Sequence, residues 1–283
     1  MARFTNQAQL TYSGGVTNSN IAEGELLEVL SATKTAVYNT YTRGETVTYI
    51  VSLVNTGTTE ITGLTLSDDL GTYTQGDFTL TPLEYIAGSV KYYQNGVLQT
   101  KPTAVAGPPL VISGISVPAG GNTTVAYEAR TNRFAPLGTE DSIVNTVTVS
   151  GGGITPITAA ETVSVNSAPD LTITKSISPV PVTENGRLTY TFTIQNYGNT
   201  AADAAANVVV TDTFNPILKD IAVAFNGTAW ATGTNYTYNE TTGEFSTVTG
   251  QITVPAATYT QSTADGSWIV TPGMSTLTVT GTV

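Results

Sequence analysis

Along most of the chain, apolar and polar residues alternate with a period of two, the pattern of strands with one face buried. The runs Phe4–Tyr12, Leu30–Lys34, Val47–Val54, Leu171–Lys175 and Leu188–Gln195 all read this way. Between them stand clusters of turn residues, among them Ser13-Gly14-Gly15, Asn55-Thr56-Gly57 and Asn196-Tyr197-Gly198. Asn185-Gly186 and Asn226-Gly227 suit tight hairpin turns. No segment holds apolar residues at helical spacing for more than about two turns, so almost no helix is expected.

The pattern repeats. Leu30-Ser31-Ala32-Thr33-Lys34-Thr35 returns as Leu171-Thr172-Ile173-Thr174-Lys175-Ser176. Each run is followed by a strand with a tyrosine, Tyr49 or Tyr190, that leads into Asn-x-Gly. Next come Leu64-Thr65-Leu66-Ser67-Asp68 and Val208-Val209-Val210-Thr211-Asp212. Both copies then approach a late strand through a Pro/Gly turn, at Pro118-Ala119-Gly120 and at Pro272-Gly273. The first copy continues through a strand around Asn145 and another around Val163, whereas the second stops.

Short strands at regular intervals predict an all-β chain of two tandem immunoglobulin-like antiparallel β-sandwiches preceded by an N-terminal donor β-hairpin. The expected units are the hairpin (1–29), a complete module (30–165) and a module lacking its last two strands (166–283). Ser167-Ala168-Pro169 reads as a short, stiff linker between the modules. In the opening hairpin one strand spans Phe4 to Tyr12 and a second returns over Ile21–Val29. It is close in pattern to Ile143–Val165, the pair that closes the first module.

Composition narrows the functions available. A length of 283 residues suits two domains, each able to bury a core. The net charge of -11, with ten scattered Lys and Arg, argues against nucleic acid. The absence of His and Cys removes thiol chemistry, histidine acid–base catalysis, disulfides and most transition-metal sites. No run spans a membrane and no signal peptide is visible at Met1–Gln7. No metal site and no cofactor is expected; Ser67-Asp68-Asp69 lacks the spaced oxygen ligands of a calcium loop.

The ordered motifs resemble the bacterial conserved-repeat family of immunoglobulin-like surface modules. They are a strand ending in Thr-Lys, a Tyr strand into Asn-x-Gly, a Val-rich strand into Asp, and a late Asn strand. The resemblance extends to clostridial spore-appendage and cell-surface fibre proteins. It implies a wall, spore-coat or fibre role outside the cell and does not imply an enzyme.

A sandwich lacking edge strands leaves backbone groups and core exposed. Insertion of Met1–Leu27 from a neighbouring molecule would complete the second module by strand addition, through Phe4, Ala8, Leu10 and Tyr12. Such a contact is heterologous and builds an open head-to-tail homopolymer. Folding of the hairpin onto its own first module is the plainer reading.

The repeated Lys, Asp and Asn suggest chemistry inside the sandwich. Lys34 and Asn145, with Asp68 as the promoting acid, have the makings of an isopeptide bond. Burial favours a neutral lysine nucleophile and a protonated acid. In the second copy Lys175 and Asp212 are present, and the matching asparagine is Asn6 of the hairpin. The bland readings are an edge-strand lysine that guards against aggregation and turn-capping Asp and Asn.

The reading is a non-enzymatic structural subunit of an extracellular or spore-surface fibre whose main partner is itself, with anchoring or tip proteins beside it. Autocatalytic bond formation would turn over once. The alternative is an adhesin-type binding module that recognises a glycan or host protein through the hairpins at Tyr85–Tyr93 or Trp230–Tyr238.

Overall fold

The computed structural model describes residues 2–26 and 28–283. Among these described residues nearly all regular structure is β, with one 3-10 turn at Ala204–Ala206. The first sandwich packs two six-stranded sheets. One runs through Tyr92 (Lys91–Gln94), Tyr127 (Asn122–Thr131) and Tyr49 (Thr46–Asn55) to the Lys34 strand (Leu30–Ala36) at its edge. The other runs through Ile112 (Leu110–Val117), Asp68 (Ile61–Asp68) and Asn145 (Ser142–Gly151) to Val163 (Ile157–Val165). Alternation along each strand puts Tyr49, Val51, Leu53, Leu64, Leu66, Ile112, Val125, Val147 and Val163 in one buried core between the sheets.

The second sandwich repeats one sheet almost whole. Its Lys175 strand (Leu171–Ser178) pairs with Arg187–Asn196, which pairs with Gly273–Thr282. The facing sheet has three strands, Tyr236–Tyr238, Glu244–Thr247 and Thr211–Thr213. In the first sandwich the Asp68 strand is held on both sides, by Ile112 and by Asn145. Among the described residues, its counterpart carrying Asp212 is held on one side only. That difference accounts for a departure from the expected pattern: Val208–Val210 are irregular and only three residues, Thr211–Thr213, keep strand geometry.

The Asn-x-Gly motif has a structural task in both copies. Asn55 Oδ1 accepts the Gly57 amide at 2.9 Å, and Asn196 Oδ1 accepts the Gly198 amide at 2.9 Å. The incoming chain lies against the glycine: a Cβ on Gly198 would fall 2.2 Å from the Ala168 carbonyl oxygen. Val29 O accepts from Thr56 N at 2.8 Å, and Asp170 O accepts from Tyr197 N at 2.7 Å. Val29 therefore enters the first sandwich as Asp170 enters the second.

Residues 2–26 form a hairpin in two ladders, Ala2–Asn6 with Ala22–Leu26 and Gln9–Tyr12 with Gly15–Asn18. The single strand expected over Phe4–Tyr12 is interrupted at Gln7–Ala8, where two residues face three, Ser19–Ile21. Ser19 bridges the bulge, its amide donating to Ala8 O at 2.8 Å and its hydroxyl accepting from Ala8 N at 2.9 Å. Of the returning strand expected over Ile21–Val29, only Ala22–Leu26 is in the ladder, and Leu27 lies outside the described residues, as does Met1.

A hairpin of the second half, Thr258–Gln261 with Trp268–Thr271, reaches onto the first sandwich. Tyr259, Trp268 and Val270 pack against its core. Trp268 N donates to Arg133 O at 2.9 Å, and Arg43 donates to Trp268 O at 3.2 Å. The second sandwich thus joins at the Thr46 end of the Tyr49 strand, opposite the end where Val29 enters beside Asn55.

Candidate functional site

In the first sandwich Lys34 projects inward from one sheet toward Asp68 and Asn145 on the other. All three side chains are buried. Lys34 Nζ donates to Asp68 Oδ2 at 2.5 Å, and the Tyr127 hydroxyl donates to the same oxygen at 2.5 Å. Asp68 Oδ1 accepts the Leu70 amide at 3.1 Å. Asn145 Nδ2 donates to the Tyr127 hydroxyl at 3.2 Å. The register explains the convergence: Asp68 pairs with Val147, so Asn145 lies one inward position along the neighbouring strand.

At this site two buried oxygens, Asn145 Oδ1 and Tyr49 Oη, have no hydrogen-bond partner among the described residues. A buried carbonyl left unpaired costs about 1–3 kcal/mol. The Tyr49 and Tyr127 rings stack at 5.7 Å between centroids and wall the site on one side. Lys34 Nζ stands 4.8 Å from the Tyr49 ring centre.

Burial sets the electrostatics. Desolvation lowers the Lys34 pKa from its ordinary 10.5 against the opposing pull of Asp68. Burial, then the Asp68 charge, pushes the Tyr127 phenol well above 10.0, so it remains a proton donor. The chemical capability follows. A neutral Lys34 amine can attack the Asn145 side-chain carbon, forming an amide as the Asn C–N bond breaks and ammonia leaves. The proton lost by Nζ passes to the departing nitrogen, with Asp68 placed to relay it.

Tyr127 was not legible as a site residue. Its only signal was an inward position on the late strand, directly opposite Tyr49. Glu161, which pairs with Asn145 and adds its charge near Lys34, was likewise missed.

The second sandwich repeats half of this constellation. Lys175 forms an ion pair with Asp212 and lies over Tyr190, 4.3 Å from its ring centre. Val279 stands opposite Tyr190, where the first sandwich has Tyr127. The Lys34 side chain is 0 % exposed, whereas that of Lys175 is 39 % exposed. Ile173 and Ile177, flanking Lys175 on the same face, are 53 % and 41 % exposed. The Val163 strand covers the equivalent face of the Lys34 strand in the first sandwich.

Asn6 lies in the hairpin, paired with Ala22 and exposed. Phe4, Leu10 and Tyr12 are more than half exposed, and Ala8 is exposed at the bulge. The hairpin's side-chain hydrogen bonds are all internal among the described residues, as with Arg3 and Glu25. Within one molecule, therefore, Asn6 is not brought to Lys175 and Asp212. No cluster of three or more Asp or Glu that could hold a metal ion occurs among the described residues. No helix there is long and apolar enough to cross a membrane.

No family model and no curated protein matches the chain. Among solved structures it is similar to a C-terminal fragment of the major pilin GBS80 of Streptococcus agalactiae, with 13 % identity, TM-score 0.36, and coverage of 52 % of this chain and 58 % of that one. It is also similar to the pilus backbone RrgB of Streptococcus pneumoniae, with 14 % identity, TM-score 0.34, and coverage of 86 % and 55 %. BcpA, the major pilin subunit of Bacillus cereus, matches at 8 % identity, TM-score 0.35, over 96 % and 73 %. The match spans a little over half of each streptococcal chain. At these scores the likeness carries no argument about what this chain does.

Proposed function

We propose that this chain is a structural subunit of an extracellular or spore-surface fibre. It would be organised as a donor hairpin (1–29), a complete module (30–165) and an acceptor module (166–283). Each subunit donates its hairpin to the second module of a neighbour. The observation that carries this reading is Lys175, paired with Asp212 on an exposed apolar stripe beside a strand with a free edge. The hairpin brings what that groove lacks: two strands, apolar residues at alternate positions, and Asn6 in the sequence position of Asn145.

Distance supports donation between molecules rather than within one. The Tyr49 strand has ten residues, about 33 Å at ~3.3 Å each. The hairpin enters at one end of it and the second module joins at the other. From Leu30 back to Ala22, the partner of Asn6, the chain spans at most about 28 Å. Asn6 therefore cannot travel the length of its own first module and reach Lys175 beyond it. Donation to a neighbour is heterologous and propagates.

The Lys34–Asp68–Asn145 cluster fits a bond inside the first module, and Lys175–Asp212–Asn6 fits one between subunits. Covalent joints would supply the durability that a chain without cysteine cannot draw from disulfides. Negative-stain microscopy of the purified chain, with a boiled denaturing gel, tests the proposal. Filaments and a ladder of multimers are expected. Filaments that persist after deletion of residues 1–27, or a chain that stays monomeric, would overturn it.

A further inference from the structure

The two grooves differ in size in a way that matches two different hairpins. On the Lys34 strand, the residues flanking the lysine are Ala32 and Ala36, both half-buried. The Val163 strand packs beside this strand and carries Glu161 and Val163, opposite Asn145 and Ile143 in its own ladder. On the Lys175 strand the flanking residues are Ile173 and Ile177. Aligned on its asparagine, the opening hairpin has Ala22 opposite Asn6 and Gly24 opposite Phe4. Where the acceptor strand grows from alanine to isoleucine twice, the donor strand shrinks, from Glu to Ala and from Val to Gly.

The hairpin makes use of the missing side chain. The Phe4 ring lies across Gly24 so closely that a Cβ there would fall 2.3 Å from Cζ. Phe4 occupies the position of Ile143, so bulk has moved from the second strand of the pair to the first. Close-packed interiors tolerate volume-conserving exchanges and penalise added bulk.

We propose that this exchange of bulk sets which hairpin enters which groove. Residues 2–26 of a second copy fit the Ile173/Ile177 groove, whereas a hairpin of the Glu161/Val163 type clashes there. The first module's own closing strands are thereby kept out of the acceptor groove and the donor hairpin is directed to it. The inference rests on the head-to-tail reading and adds its specificity.

The test is a bump and a matching hole in the full chain, read by sedimentation and negative-stain microscopy. Gly24→Val, a substitution on strand backbone next to a ring free to swing away, is expected to lower polymer at least tenfold. Adding Ile173→Ala and Ile177→Ala, at exposed positions that leave the monomer folded, is expected to restore it. Polymerisation of Gly24→Val at the wild-type level overturns the size inference and leaves the head-to-tail reading standing. So does a triple variant with native circular dichroism that stays unassembled. A wild-type chain that never polymerises overturns both.

Discussion

Lys34 and Lys175 occupy the same register in the two sandwiches, Lys34 paired with Val51 and Lys175 with Phe192, yet one is sealed and the other faces solvent. The difference lies in what covers them. Two strands that follow the Tyr127 strand close the first groove, and no described strand closes the second.

The first prediction concerns mass. The intact wild-type chain is expected to be lighter than its sequence by one ammonia, through the Lys34–Asn145 bond. Asn145→Ala should show its full sequence mass and melt at a lower temperature, since it loses a cross-link closing a long loop, a constraint of about 5 kcal/mol on the chain-entropy argument for disulfides. A wild-type mass equal to the plain sequence excludes the bond.

In the proposed joint between subunits, docking and bonding would be separable. Asn6→Ala and Lys175→Ala should still form filaments, because strand addition rests on main-chain hydrogen bonds. Their filaments should fall to monomers on boiling in detergent, where the wild type leaves a ladder. A ladder surviving in both variants would place the cross-link elsewhere.

Tyr127 should act through Asp68. Tyr127→Phe keeps the ring against Tyr49 and removes the hydroxyl that donates to Asp68 at 2.5 Å. A hydrogen bond to a charged group contributes about 1.5–3 kcal/mol, so bond formation is expected to slow by about tenfold to a hundredfold. Time-resolved mass spectrometry of freshly refolded chain measures this, with Asp68→Ala as the variant that forms no bond.

The unbonded Asn145→Ala chain should show a defined pH dependence. Burial lowers the Lys34 pKa below 10.5, so as pH rises the folded state releases this proton before the unfolded state does. While the unfolded state holds more protons, the Lys34 contribution to stability rises with pH, levelling off by 10.5. Above 10.0 the sign reverses, because buried Tyr41, Tyr49 and Tyr127 keep protons that the unfolded chain loses. Denaturation midpoints should therefore pass through a maximum near pH 10, and the rising limb should vanish when Lys34→Met is added.

Alternation, turn residues and the repeated order of motifs were enough for the all-β class, because strand burial and tight turns are local properties. Lys34, Asp68 and Asn145 stood out as candidates because their motifs recur in order, but how they meet across the core depends on the packing of distant strands. Tyr127 did not stand out, because its role depends on which tyrosine stands opposite Tyr49 across a ladder between distant segments. The extent of the Asp212 strand was also hidden: Val208–Val210 has strand composition, but a strand held on one edge lacks the second ladder that keeps Leu64–Leu66 regular. The sequence by itself determined the fold class and the repeat. Only the tertiary structure decided that Lys34 is sealed while Lys175 lies open and that the hairpin and the second module leave from opposite ends. Both depend on how distant segments pack in space, which local pattern does not encode.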